Sequence, residues 1–430
     1  MPFPDTDHPW DSKPLGEVFR LSTIGLTPHN HPREEFHHYS IPAWDELGGP
    51  VLNFGKEIDS GKLLLTERCV LVSKLNPHIP RMRPFEPPRD GRRACASTEI
   101  MAFVPHSTAT SIGFFAQYFA SERFRRNLVS AATGTTNSHK RVRPPQTLKW
   151  LIPVPPPKEQ AAIARVLDAV DTALERTRTA IARARELRKS LIGELLSRGV
   201  GRDGNVRKPE HSPTQFAKTP LGQLPAAWTL SRVGQQFTIQ NGFTINEAQQ
   251  THLPKRRYLR VANVQRDALK LDDIQELKAG DEEYAPRVLQ TDDLLVVEGH
   301  ADRMQIGRCA RVTPEAAGMT FQNHLFRLRT KGNVSAAFGC LWLNSAYALR
   351  YWNACCATSS GLNTINQRML KRLITPVPPK PEQERITTIV AQQRKHLEAL
   401  IAKHQCLEQL KKSLMHDLLT GRVRVPAEAD

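Results

Sequence analysis

Four histidines lie close together early in the chain, His29, His31, His37 and His38, beside Glu34 and Glu35. Imidazoles and carboxylates are the donor set of a transition-metal site. The triplet His29-Asn30-His31 is not the nuclease motif it resembles on paper, whose members are scattered over a β-β-metal fold. A polar loop leading into a strand at Tyr39 accounts for the same residues, and no metal site is expected. A phosphate-cradling loop needs Gly-x4-Gly-Lys-Ser/Thr. Gly55-Lys56 has Pro50 where the first Gly belongs, and Glu57 follows. An amino-methyltransferase is expected to carry Asn-Pro-Pro-aromatic, and Asn76-Pro77-His78 is not that. No Gly-x-Gly-x-x-Gly occurs. Glu276-Leu277-Lys278 matches the end of a metal-dependent nuclease motif over three residues, inside a charged stretch. No catalytic residue is expected from any of these.

What remains is charge. Sixty Lys and Arg stand against 43 Asp and Glu in 430 residues, a net charge of +17. That balance favours a polyanionic partner, above all nucleic acid. The candidate phosphate contacts are Lys74, Arg81, Arg83, Arg92, Arg93, Lys140 and Arg141 in the first half, with Arg256, Arg257, Arg260, Arg303 and Arg308 in the second. Among short loops, Lys and Arg neutralise phosphates, and Asn or Gln nearby reads base edges. Any single one of them is equally a solvated surface charge. The N-terminus shows no secretory signal, and no stretch reaches the ~18 apolar residues of a membrane span. Seven cysteines without a Cys-x-x-Cys read as free thiols of a reduced, cytoplasmic chain.

The elements that position these residues come twice. Leu151–Ile163 (LIPVPPPKEQAAI) returns as Ile374–Ile386 (ITPVPPKPEQERI), offset by 223 residues without a gap. Glu159-Gln160 falls on Glu382-Gln383, Leu187 on Leu410, Lys189-Ser190-Leu191 on Lys412-Ser413-Leu414, and Leu195-Leu196 on Leu418-Leu419. Upstream, Trp10, Gly16 and Phe19 recur at the same spacing as Trp228, Gly234 and Phe237. Each half is thus a diverged domain, a Pro-rich elbow and a long helix.

Both helices carry a 3-4 apolar seam, the pattern of a coiled coil. The first runs through Ile163, Leu167, Leu174, Ile181, Leu191 and Leu195, and the second through Ile386, Val390, Leu397, Leu407, Leu414 and Leu418. Arg188 and Lys411 interrupt it at the same repeat position, and Gln393 and His404 interrupt the second again. The elbow prolines start the helices, Glu159 and Glu382 suit the positive end of the dipole, and Gly199 and Gly421 suit the stops. From Glu159 to Ser197 the first is roughly 58 Å long at ~1.5 Å per residue. Such a helix needs a partner strand. The nearest is the other helix of the same chain, with pairing between chains as the alternative. The basic run Arg176–Lys189 reads as the exposed face of that pair.

Short β-branched runs in GKLLLTERCVLVSKL and DDLLVVEGH read as strands, while STATSIGFFAQYFASERFRRNLV and NVSAAFGCLWLNSAYALRYWNA read as one amphipathic helix apiece. The fold expected is α+β, with domains over 1–152 and 215–375. An elbow and central helix follow at 153–198, a linker at 199–214, an elbow and C-terminal helix at 376–421, and a tail at 422–430.

Two domains, each followed by a PVPP-x-x-EQ elbow and a long helix, resemble the specificity subunit of type I restriction-modification systems. HHYSIPAWDE, EIDSGK, VLVSKLNP and ASTEIMAFVP in the first half look like its first-domain signatures, as do YLRVANV, DDLLVVEGH, IGRCARV and FQNHLFRLR for the second. The resemblance implies two target-recognition domains, each reading half of a bipartite, asymmetric double-stranded DNA site, on two helices paired as an antiparallel coiled coil. It implies two modification subunits that methylate adenine with S-adenosylmethionine and two restriction subunits that use ATP and Mg²⁺. This chain then holds no cofactor and performs no catalysis. A DNA-binding adaptor unrelated to restriction and a fused methyltransferase or nuclease are the rival readings; the second lacks its motifs.

Overall fold

The computed structural model describes residues 9–134, 140–211, 213–244, 253–359 and 361–425. The start of the chain and the end of the 422–430 tail lie outside them. Two helices close the first domain, α1 (Ile112–Ala120) and α2 (Glu122–Ala131), followed by the long α3 (Pro157–Arg198). The second half repeats this as α4 (Ala336–Leu343), α5 (Ala346–Cys355) and the long α6 (Lys380–Leu419). The chain forms two compact units, residues 1–179 with 401–430, and 180–400. Each long helix therefore gives one half of itself to each unit.

In the first unit a four-stranded antiparallel sheet has the order Phe19–Leu21, Ile100–Pro105, Cys69–Ser73, Met82–Phe85. Every residue of Cys69–Ser73 is buried, because the sheet is covered on both faces. Val70 and Val72 point to a cluster with Phe103 of the neighbouring strand and Phe115 and Phe119 of α1, while Cys69 and Leu71 join Ala94, Ala96 and Phe85 on the other side. That second cluster is roofed by a five-stranded mixed sheet in which Glu35–Tyr39 runs parallel to Arg93–Ser97. Burial pushes the Cys69 thiol up to about 12 and the Cys95 thiol to about 11, so neither is a nucleophile near neutrality.

The second unit repeats the four-stranded order with Phe237–Asn241, Leu325–Thr330, Leu294–Val297 and Cys309–Arg311. Leu294 and Val296 face one cluster, Leu295 and Val297 another. The apolar run expected to be a strand in DDLLVVEGH is one, and it is buried on both sides. Each elbow is also a strand: Asp11–Pro14 pairs with Leu151–Val154, and Thr229–Arg232 with Ile374–Val377.

One expectation fails in both halves. The stretch read as a single helix is two, broken at Ser121 and at Ser345. Each serine adopts an extended backbone and its hydroxyl accepts from a later N–H, of Phe124 and of Ala348. A serine that caps a new helix ends the old one.

The helix seam holds throughout. All ten 3-4 positions of α3 and all ten of α6 are buried or half-buried, while most of the residues between them in the middle of each helix are exposed. In the first unit Ile163 and Leu167 share a cluster with Leu418 and Leu419; in the second, Leu195 and Leu196 share one with Ile386 and Val390. Burying each such side chain contributes about 1.5–3 kcal/mol. Within the first unit Glu159 meets Arg424, just past the end of α6, and Asp171 meets Lys411 inside it, so partners ascend along one helix as they descend along the other. The pairing is antiparallel and within one chain. The two seam-breaking cations each find a carboxylate: Lys411 reaches Asp171, and Arg188 reaches Asp267 in a left-handed turn (φ 61°) at 3.0 Å.

The elbow Glu-Gln pairs do more than start helices. Gln160 donates to the Pro155 carbonyl and accepts from the Ser111 N–H at the head of α1. Gln383 donates likewise to Pro378 and accepts from Ser335 at the head of α4. Glu159 and Glu382 are 4% and 2% exposed. Glu159 accepts from Trp10 Nε1 at 3.0 Å and from the Arg424 fork at 2.6 and 2.7 Å. Glu382 accepts from the Arg207 fork and from the Val200 N–H at 2.9 Å. The left-handed Gly199 (φ 65°) permits this: a Cβ there would meet Glu382 Oε1 and Arg207. The start of the expected linker is therefore packed structure. Removing Glu382 leaves a largely buried guanidinium and an N–H without a partner, a loss of about 3 kcal/mol. Glu382→Ala is expected to lower the urea midpoint of the second unit's unfolding, and an unchanged midpoint would refute the clasp.

Candidate nucleic-acid interface

The basic residues divide by what already holds them. Arg81 is 5% exposed and forks onto Asp45 at 2.6 and 2.7 Å; the guanidinium holds the Asp45 carboxyl below the usual carboxylate range. Arg308 is 6% exposed, donates to the Val261 carbonyl at 2.7 Å and to Gln305 at 3.1 Å, and burial lowers its pKa. Both were expected among the phosphate contacts. Burial corrects that, because a guanidinium inside the fold presents nothing to a duplex.

A second group is paired but reachable. Arg92 bridges Glu35 at 2.8 Å and Asp90 at 2.9 Å with 40% of its side chain exposed. Arg93 forks onto Glu34 at 2.6 Å and lies over the Phe36 ring. Arg83 donates to the Gly48 carbonyl and covers Tyr39. Arg256 pairs with Asp281 over Tyr284, and Arg260 with Asp273 at 2.6 Å. Arg303 donates to Asn363 at 3.1 Å, and Arg257 is exposed on its strand. The same pairs absorb the early His and Glu residues: His37 Nε2 lies 2.8 Å from Asp90, and His38 Nδ1 3.2 Å from Asn53. Among the described residues no three His, Cys, Asp or Glu side chains gather as a metal site requires.

Among the described residues, one hollow gathers several of the basic side chains singled out above. A hollow of about 420 Å³ in the first unit is lined by Lys74, Thr133, Arg141, Arg143 and neighbouring backbone. Arg141 is steadied by Glu99 at 3.0 Å, Arg143 is exposed, and Lys140 sits beside them. Two strand ends build it: Val142 N–H donates to the Lys74 carbonyl at 3.0 Å, and Asn76 N–H to the Lys140 carbonyl at 2.8 Å. Arg143 was not among the residues singled out by sequence. The alternation Arg141-Val142-Arg143 was the available signal, since Val142 is buried and its neighbours must point outward.

The second unit repeats this backbone with other chemistry. Ile365 N–H donates to the Glu298 carbonyl at 2.9 Å, as Val142 does to Lys74. Glu298 takes the place of Lys74 and pairs with His324 at 3.0 Å, Thr364 takes the place of Arg141, and the buried Asn363 takes that of Lys140. If the first hollow touches phosphate, Lys74→Ala with Arg143→Ala weakens DNA binding and reduces the log–log salt slope by about 0.9 per lost contact. An unchanged slope would place both outside the interface. Arg81→Ala is expected to cost stability instead.

Among the described residues no helix is long and apolar enough to cross a membrane. No protein-family model matches the chain. It is 25% identical over 277 residues to the StySPI type I restriction enzyme specificity subunit of Salmonella potsdam, covering 64% of this chain and 57% of that one. To the EcoKI specificity subunit of Escherichia coli K12 it is 22% identical over 287 residues, covering 65% and 58%. The match thus spans little more than half of those relatives' own length. The fold of the type I restriction-modification S subunit from M. genitalium covers 96% of both chains, with a TM-score of 0.55 and 14% identity. A chain solved in work on complex assembly and conformational transition of the type I R-M system covers 96% of this one and 98% of itself, with a TM-score of 0.57 and 18% identity. In sequence and in fold, the chain resembles type I specificity subunits, as its doubled elbow and helix indicated.

Proposed function

We propose that this chain is the DNA-specificity subunit of a type I restriction-modification complex, working in the cytoplasm. Each target-recognition domain reads one half of a bipartite, asymmetric double-stranded site, and the paired helices set the distance between the halves. Two modification subunits supply S-adenosylmethionine and adenine methylation. Two restriction subunits supply ATP-driven translocation and Mg²⁺-dependent cleavage. The chain itself binds none of these cofactors and transfers nothing.

The observation that carries the reading is that the two halves share a backbone and differ in the side chains set on it. Lys74 and Arg141 rim one hollow; Glu298 and Thr364 stand at the matching positions of the other half. Lys and Arg donate to guanine O6 and N7, whereas Glu accepts from a cytosine amine. One scaffold with two chemistries suits an asymmetric site and indifference to the sequence between its halves. The pure chain with S-adenosylmethionine is expected to transfer no methyl group to DNA, and to direct adenine methylation to one bipartite sequence when the modification subunit is added. Methyl transfer by the pure chain would refute the non-catalytic role.

A further inference from the structure

In each half the strand that leads to Lys74 or Glu298 turns back as a hairpin, and the two hairpins are closed alike. Ser73 N–H donates to the Arg81 carbonyl and Val297 N–H to the Arg308 carbonyl, both at 3.0 Å. The loops between them, 74–80 and 298–307, each carry one exposed large apolar side chain: Ile79, 37% exposed, and Met304, 55%. One exposed apolar residue needs no explanation. These two crown equivalent loops, and both loops are held in place. Ile79 N–H donates to the Asn76 carbonyl at 2.9 Å; Asn76 is left-handed (φ 47°), and its own N–H donates to the Lys140 carbonyl at 2.8 Å. Pro80 restricts the Ile79 backbone further. Met304 sits in a single helical turn, Arg303–Gln305, where Asp302 accepts from its N–H at 2.8 Å and Arg266 donates to its carbonyl. Cations stand at the foot of both loops. Lys74 begins the first, which is tied to the segment bearing Lys140, Arg141 and Arg143; Arg303 precedes Met304 in the second. The flanking His78, Asp302 and Arg303 are exposed and polar, so neither tip lies in the wider apolar area that surrounds the anchor of a protein interface.

We propose that Ile79 and Met304 are apolar wedges that enter the base stack of double-stranded DNA, one in each half-site, and unstack one step there. The inference rests on the function proposed above. Cations at the foot of each loop hold the phosphates, and the tip is left with apolar base faces to meet. An inserted apolar side chain partly unstacks a step and kinks the duplex. The cost depends on the step, and pyrimidine–purine steps open most readily. Each wedge therefore selects a deformable step in its half-site without a hydrogen bond to any base edge.

The test uses the complex of this chain with the modification subunit, bound to a duplex that carries the bipartite motif found by methylation sequencing. 2-Aminopurine or pyrrolocytosine, which brighten when unstacked, is placed at successive positions of each half-site, the methylated adenines excepted. With the wild-type chain one step in each half-site should brighten several-fold. Ile79→Ala should abolish the rise in one half-site and Met304→Ala in the other, while Ile79→Leu should keep it. Ile79→Ala should also raise methylation of sites altered at the bright step by about tenfold, the discrimination typical of one base pair. Both residues are exposed at loop tips, so folding survives and is checked by circular dichroism. A wild-type complex in which no step brightens, or Ala variants that brighten like the wild type, would overturn the wedges and leave the functional reading intact. Variants that lose the modification subunit would make the tips protein contacts, which also overturns the wedges. A wild-type chain that directs methylation to no bipartite motif would overturn both.

Discussion

Adding one heptad to both long helices, after Leu174 and after Leu397, should give a methylated sequence with the same two half-sites and a gap about three base pairs longer. Seven residues preserve the seam, because its repeat is seven. They lengthen the rod by roughly 10.5 Å at ~1.5 Å per residue, and DNA advances about 3.4 Å per base pair. Neither recognition domain is touched, so the half-site sequences stay. Three base pairs also turn the second half-site by roughly 100° around the duplex, at about ten base pairs per turn, so methylation slows while the subunits readjust. The check is genome-wide adenine methylation in cells carrying the variant. A methylated motif with the original gap would remove the helices as the ruler.

Replacing Leu174 and Leu397 together by Asp should abolish assembly with the modification subunit and all methylation that depends on it. Both leucines lie on the seam and are half-buried there. A charge withdrawn from water in a packed seam costs several kcal/mol unless a partner is built for it. The folded seam already shows what a tolerated charge requires: Lys411 has Asp171, and Arg188 has Asp267. Co-purification of an intact complex with normal methylation would contradict the paired helices.

How much of this was legible follows from how local each signal is. The seam was readable because a 3-4 period is written in consecutive residues, and even Arg188 and Lys411 stay half-buried where the period puts them. The strands in GKLLLTERCVLVSKL and DDLLVVEGH were readable because a β-branched apolar run is equally local. The break at Ser121 was missed because an amphipathic pattern runs through a capping serine unchanged. Arg81 and Arg308 look like any other surface cation until Asp45 and Val261 fold around them. Glu159 was read as a dipole partner, and its burial depends on Arg424, 265 residues away. Lys74, Arg141 and Arg143 come to one hollow only because Val142 N–H donates to the Lys74 carbonyl.

The most direct test of the central claim is adenine methylation sequenced across the host genome with this gene intact and with it deleted. The account predicts one bipartite, asymmetric motif, methylated in the first strain and unmethylated in the second, with the modification gene untouched in both. Methylation unchanged by the deletion would contradict the assignment of sequence choice to this chain.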